Sequence, residues 1–185
     1  KTLLPPIITG TGTCLPRVAG TYTRAMFPVL AILLVVADQL TKAWSARTFA
    51  PGESQPLFLG FNLTYVENTG AAFGFFRGVS FELFGLTIDG VVLLGVVSAL
   101  VSAGLLVYLL RAGRSQPAFG RLALWIILAG AVGNMIDRFA HRFVIDFIHF
   151  RVSWLDFPVF NVADMCVVIG AFMLVIWGFT GDRAD

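Results

Sequence analysis

Residues 84–110 read FGLTIDGVVLLGVVSALVSAGLLVYLL. An α-helix needs about 20 mostly apolar residues to cross a hydrocarbon core of about 30 Å. A helix of a soluble bundle carries a polar stripe along its outer face. This stretch is long enough to cross and shows almost no such stripe. Three others read the same way: Ala25–Trp44, Phe119–Asp137 and Val159–Phe179. The pattern predicts an all-α membrane protein, a bundle of four transmembrane helices.

Composition agrees with lipid as the solvent. The 185 residues are 57% hydrophobic and 13% charged, whereas a soluble domain is about 25% charged. So few charges leave a water-facing surface uncovered. The 18 Phe and 4 Trp suit lipid contact and interfacial anchoring. A net charge of +2 with no basic run gives no sign of nucleic acid. Cys14 and Cys166 form no CxxC or Cys/His cluster, and His141 and His149 lack ligand spacing. No metal and no cofactor are expected. Cys166, inside an apolar run, reads as a small buried hydrophobe.

Orientation follows from the basic residues. Arg111, Arg114 and Arg121 lie between the second and third stretches without an acid, and Lys1, Arg17 and Arg24 precede the first, also without one. The other connections mix signs. The positive-inside rule places both termini in the cytoplasm, so the connections 45–83 and 138–158 face outward. In the first of these, Phe61, Leu63 and Tyr65 alternate with Asn62, Thr64 and Val66, the period of a short strand, before the turn signal Asn68-Thr69-Gly70. A small sheet at the outer interface is expected there. The second connection, with Trp154 and several Phe, is expected to rest on the membrane surface. Residues 1–24 are proline-rich, lack the apolar core of a signal peptide and are expected to be loosely ordered. Residues 25–180 form the membrane domain and 181–185 a cytoplasmic tail.

Chain direction then assigns a depth to each polar residue. Asp38, Lys42, Asn68, Asn134, Asp137, Arg138, Asn161 and Asp164 all fall in one layer near the outer leaflet. Ionisable groups within a span cost about 2.5–3.5 kcal/mol each on insertion scales and usually mark function. Asp38 and Lys42 stand i, i+4, which suits a structural pair as well as a site. Asp137 and Asp164 each follow an asparagine by three residues, a spacing that puts amide and carboxylate on one helical face. Two carboxylates held together in a low dielectric do not both ionise. One keeps its proton while the other activates a water. The rest of the sequence holds no GxSxG elbow or HExxH motif, and Cys166 has no neighbouring base. Gly130 and Gly133 suit close helix packing, and Gly70-Ala71-Ala72 suits either a plain turn or an outer loop lying near a substrate backbone.

The sequence resembles the bacterial lipoprotein signal peptidases, or signal peptidase II, in five segments in the family's order: Asp38-Gln39-Leu40-Thr41-Lys42, Asn68-Thr69-Gly70-Ala71-Ala72-Phe73, Gly133-Asn134-Met135-Ile136-Asp137-Arg138, Val144-Ile145-Asp146-Phe147 and Phe160-Asn161-Val162-Ala163-Asp164. The resemblance spans about residues 25–180. It implies an aspartyl endopeptidase of the inner membrane that removes the signal peptide of diacylglyceryl prolipoproteins, before the lipidated cysteine, at the outer face. It implies Asp137 and Asp164 as the catalytic pair, with Asp38, Lys42, Asn68, Gly70, Ala71, Asn134, Arg138 and Asn161 lining the site. A small extracytoplasmic β-cradle between the first and second helices, inhibition by globomycin-type cyclic peptides, membrane lipid as surroundings and action as a monomer are implied as well. The stretch before the first span is longer than the family's usual one, and Thr11-Gly12-Thr13 before Cys14 is a poor lipobox.

Two other classes of function compete. A proton-coupled transporter would spread its acids through the membrane and carry broken helices near the midplane, whereas here the acids gather on one side. An assembly factor using polar residues as helix glue does not account for the repeated Asn-x-x-Asp.

Overall fold

The computed structural model describes residues 19–70, 80–83, 86–111 and 116–181. In chain order these form helix α1 (Ala19–Thr48), strands β1 (Ser54–Phe58), β2 (Phe61–Asn68), β3 (Ser80–Leu83) and β4 (Leu86–Asp89), helices α2 (Gly90–Arg111) and α3 (Ala118–His141), strands β5 (Val144–Val152) and β6 (Leu155–Asp156), and helix α4 (Val162–Gly181). All four helices are long and apolar enough to cross a membrane. The 22 residues of α2, at about 1.5 Å each, span roughly 33 Å. Large apolar side chains such as Leu40, Leu100, Val168 and Phe172 point outward. This is a multi-pass membrane bundle.

Helix α3 packs against each of the other three. Small residues make that possible. A Cβ added at Gly130 would strike the Ala163 carbonyl oxygen, and one at Gly133 would stand 2.6 Å from Asp38 Oδ2. Glycine at 133 thus leaves room both for α4 and for a buried carboxylate of α1. Cys166 is buried, as its apolar context suggested, and faces Gly130.

Capping chemistry sets helix ends that hydropathy misplaces. The second span was expected from Phe84, but residues 86–89 form strand β4 instead, paired with β3 in an antiparallel hairpin. The Asp89 carboxylate accepts the Val92 N–H at 2.8 Å, the bond of an N-cap, so α2 starts at Gly90. Helix α3 runs past Asp137 to His141 and ends where Arg142 turns left-handed, at φ 67°. Arg138 is therefore a helical residue. The fourth helix starts at Val162 rather than Val159 because Asn161 caps it.

The expected strand near Phe61–Tyr65 is the first part of β2. The sheet has four antiparallel strands in the order β1-β2-β5-β6, so it takes strands from both longer connections and not only from the one between α1 and α2. Residues Val144–Val152, expected merely to rest on the membrane, pair with β2 from Phe61↔Phe150 to Asn68↔Val144. The register slips by one residue between Leu63 and Val66, a bulge on β2 that bends the strand toward the helices. Phe49, Tyr65 and Ile145 form a small core beside it, with Leu63 and Phe143 packed against them.

Candidate active site

The polar residues of the outer layer separate into two groups. The first centres on Lys42, whose side chain is almost fully buried. Its ammonium meets Asp38 Oδ2 at 2.8 Å, Asp137 Oδ2 at 2.9 Å and Asn134 Oδ1 at 2.9 Å. All three ammonium donors are thereby used. Asp38 Oδ1 accepts the Ala163 N–H at 2.8 Å, in the first turn of α4, where the helix dipole favours an anion. Asp137 also accepts from Gln39 Nε2 at 2.9 Å and from the Ile145 N–H at 3.1 Å.

The second group is built around Asn161, which is fully buried. Its side-chain oxygen accepts the Asp164 N–H at 2.9 Å, and its own N–H donates to Asp164 Oδ2 at 3.2 Å. This reciprocal pair is a capping box at the start of α4. The Asn161 amide then donates to Asp146 Oδ1 at 2.6 Å and, more weakly, to Asn134 Oδ1 at 3.1 Å and the Ile145 carbonyl at 3.3 Å. Asn68 donates to Asp146 Oδ2 at 2.9 Å, and its own oxygen accepts the Gly70 N–H at 3.0 Å.

Asn134 joins the groups. Lys42 has only donors to offer, so the Asn134 oxygen must face it, which turns the Asn134 amide toward Asp164 Oδ1 at 2.7 Å. The spacing argument anticipated that each asparagine would serve the acid three residues later. Asn134 instead serves the acid of the other helix, and Asn161 is a cap rather than a residue on a helical face.

Two cavities reflect the same division. A groove of about 840 Å³ is lined by Asn68, Gly70, Asn134, Arg138, Asp146 and Asp164 at its polar end and by side chains such as Val97, Val101 and Val168 elsewhere. Asp137 and Lys42 line a separate space of about 250 Å³ with Gln39, Arg47, Tyr65 and His141. Arg138 donates Nη1 to the Asn134 carbonyl at 3.2 Å and puts a positive charge in the groove. Ala71 lies outside the described residues.

Asp137 and Asp164, the pair expected to act together, are thus linked among the described residues through Lys42 and Asn134 and line different cavities. The acid that shares the groove with Asp164 is Asp146. Burial pushes its carboxyl up to about 7 and the Asp164 charge adds to the rise, while the Asn68 and Asn161 amides and the Lys42 ammonium hold it back.

The sequence profile of the family described as Signal peptidase (SPase) II matches residues 30–180. The chain belongs to the signal peptidase II family. That span holds every residue of both polar groups. Among curated relatives, the lipoprotein signal peptidase of Syntrophus aciditrophicus is 37% identical over 152 residues, covering 82% of this chain and 90% of the relative. That of Gloeobacter violaceus is 42% identical over 151 residues, covering 81% and 79%. A solved bacterial membrane enzyme superposes with a TM-score of 0.72 at 27% identity, over 89% of this chain and 92% of that one. As a member of this peptidase family the chain is a membrane-embedded hydrolase.

Sequence reasoning passed over two residues. Asp146 stands in the segment Val144–Phe147 that carries the resemblance, where counting signs reads it only as one of the mixed charges of the second connection. An acid between Ile145 and Phe147 was the available signal that it is buried. Gln39 adjoins Asp38 in another segment, and only the contact between α1 and α3 reveals that it reaches Asp137 and the Gly133 carbonyl, the latter at 3.2 Å.

Proposed function

We propose that this peptidase removes the signal peptide from diacylglyceryl-modified lipoprotein precursors, cleaving before the lipidated cysteine with a water activated by Asp146 and Asp164. The observation carrying this reading is that one buried residue, Asn161, hydrogen-bonds both acids at the polar end of a largely apolar groove. The relatives' shared name, lipoprotein signal peptidase, supports the substrate class. The apolar walls suit acyl chains and a signal-peptide core.

In this mechanism the Asp164 carboxylate takes a proton from water as the water oxygen attacks the scissile carbonyl carbon. Asp146, whose raised pKa of about 7 lets it hold a proton near neutrality, donates that proton to the carbonyl oxygen. When the C–N bond breaks, Asp164 passes its proton to the departing nitrogen, and Asp146 recovers one from a hydroxyl of the tetrahedral intermediate. Arg138 stands where it can hold a peptide carbonyl. Asp137 becomes a positioning residue, since its oxygens already bond Lys42, Gln39 and the Ile145 N–H. Both acids come from one chain, which supports action as a monomer. With both termini in the cytoplasm, the sheet and site face outward, and globomycin-type cyclic peptides block the groove.

The test is incubation of the purified protein in proteoliposomes with a diacylglyceryl prolipoprotein, with and without globomycin. Release of the signal peptide, stopped by globomycin and dependent on the lipid, is the expected outcome. Equal cleavage of the unlipidated precursor would overturn the substrate assignment.

A further inference from the structure

The far end of the sheet carries apolar side chains that nothing among the described residues covers. Leu57, Phe58 and Leu59 at the β1–β2 turn are 53%, 64% and 86% exposed, and Trp154 at the β5–β6 turn is 82% exposed. Pairing of Phe61 with Phe150, and the bond from the Arg151 N–H to the Gly60 carbonyl at 2.8 Å, bring both turns to one end. Residues 57–61 include no charge. Glu53 and Glu67 lie toward the opposite end of the hairpin, and Arg151 pairs with Asp156 at 3.4 Å on its flank. Leu59 is held left-handed at φ 46°, a conformation that branched side chains avoid. The turn presents this leucine at the point of greatest exposure.

The surface of this protein that meets lipid is the outer face of its helices, and the exposed end of the sheet connects to it. The Phe58 and Phe61 rings are 5.7 Å apart and the Phe61 and Phe150 rings 4.9 Å. The Phe157 N–H donates to the Phe150 carbonyl at 3.0 Å, and the Phe157 and Phe160 rings are 5.8 Å apart. Phe157 and Phe160 line the groove together with Val168, a residue on the lipid face of α4. A ribbon of phenylalanines, joined by ring contacts at either end and by the Phe157–Phe150 backbone bond between them, therefore runs from the rim of the groove to the hairpin tip. Tryptophan beside such a ribbon is typical of the membrane–water boundary.

We infer that Leu57–Leu59 and Trp154 insert into the headgroup–acyl boundary of the leaflet beside the site, so that the sheet lies along the membrane held at two ends, by the helices and by its own tip. The occupant is phospholipid rather than a protein partner.

Depth measurement tests this without reading turnover, so it stands or falls separately from the proposed chemistry. In a full-length Cys14→Ser/Cys166→Ala background, single cysteines are introduced as Leu59→Cys, Trp154→Cys and, on the exposed strand, Gln55→Cys. Each carries an environment-sensitive fluorophore in vesicles of pure phosphatidylethanolamine and phosphatidylglycerol. Labels at 59 and 154 are expected to emit blue-shifted light, to be quenched by lipids spin-labelled near the headgroup and to resist iodide on both sides of the membrane. The label at 55 behaves in the opposite way. Leu57→Cys repeats the measurement if the Leu59 variant folds poorly. Iodide access at the tip equal to that at 55 would overturn the inference, and so would shielding that appears only when another protein is added.

Discussion

The buried ion cluster of Asp38, Lys42 and Asp137 and the groove acids Asp146 and Asp164 lie in the same layer and are made of the same residue types, yet their surroundings differ. Asp38 and Asp137 each receive three donors from the protein, one of them an ammonium. Among the described residues, Asp146 and Asp164 each receive two, all of them neutral, and both line the groove. A carboxylate has about four acceptor sites. An acid with most of its sites filled and an ammonium among its donors holds structure, whereas an acid with fewer, neutral donors keeps capacity for another partner. Depth in the membrane does not tell the two apart; the donors do.

The comparison breaks if the two groups respond alike. The largest expected effect is on turnover. Asp146→Asn is expected to cut kcat by about 10⁴-fold or more, the upper range of general acid–base catalysis, with no fall in the thermal midpoint. Asp137→Asn should cost less in turnover, and the loss should come with a lowered midpoint. The reverse ranking of kcat would restore Asp137 to the catalytic pair.

Lys42→Met is expected to act on stability instead. It strands two buried carboxylates, and breaking a buried pair costs about 3–5 kcal/mol. Thermal unfolding in detergent would read this as a large fall in midpoint, with no counterpart in Asp146→Asn. A midpoint unchanged by Lys42→Met would show the cluster to be dispensable.

A third effect depends on pH. Burial raises the folded carboxyl of Asp146 from the ordinary 3.8 to about 7, so the unfolded chain loses this proton first as pH rises. Between about pH 4 and 7 the folded state loses stability on this account, by roughly 4 kcal/mol at most. Above pH 7 the loss is complete. Asp146→Asn removes it and should raise the midpoint at pH 8 but not at pH 4. The wild-type rate should also fall above pH 7 as the acid ionises, a limb that Asp137→Asn leaves in place.

The smallest effect sharpens the picture. Asn68→Ala deletes one donor to Asp146, and a hydrogen bond to a charged group contributes about 1.5–3 kcal/mol. A loss of about 10- to 100-fold in kcat/KM is expected, well short of that for the acid itself.

The four spans were legible in the sequence because runs such as Val91–Leu110 have no polar face, and chain direction sufficed to gather the polar residues in one layer. The strand at Phe61–Tyr65 was legible from its alternation. Strand β5 was not, because Val144–Phe147 is buried on both sides and does not alternate. Helix ends were hidden for a different reason. Asp89 and Asn161 cap through side-chain bonds that hydropathy does not register. The choice between Asp137 and Asp146 was the least legible, since it depends on which acid the Lys42 ammonium reaches and on how β5 aligns with β2.

Asn161 has an implication for anyone altering this protein. The same residue that fastens the beginning of α4 also bonds α3, β5 and both groove acids, so a helix end and the proposed reaction centre share one hinge pin. Damage there will not sort into a folding defect and a chemical one, because the cap that starts the fourth helix and donors to both acids belong to one residue.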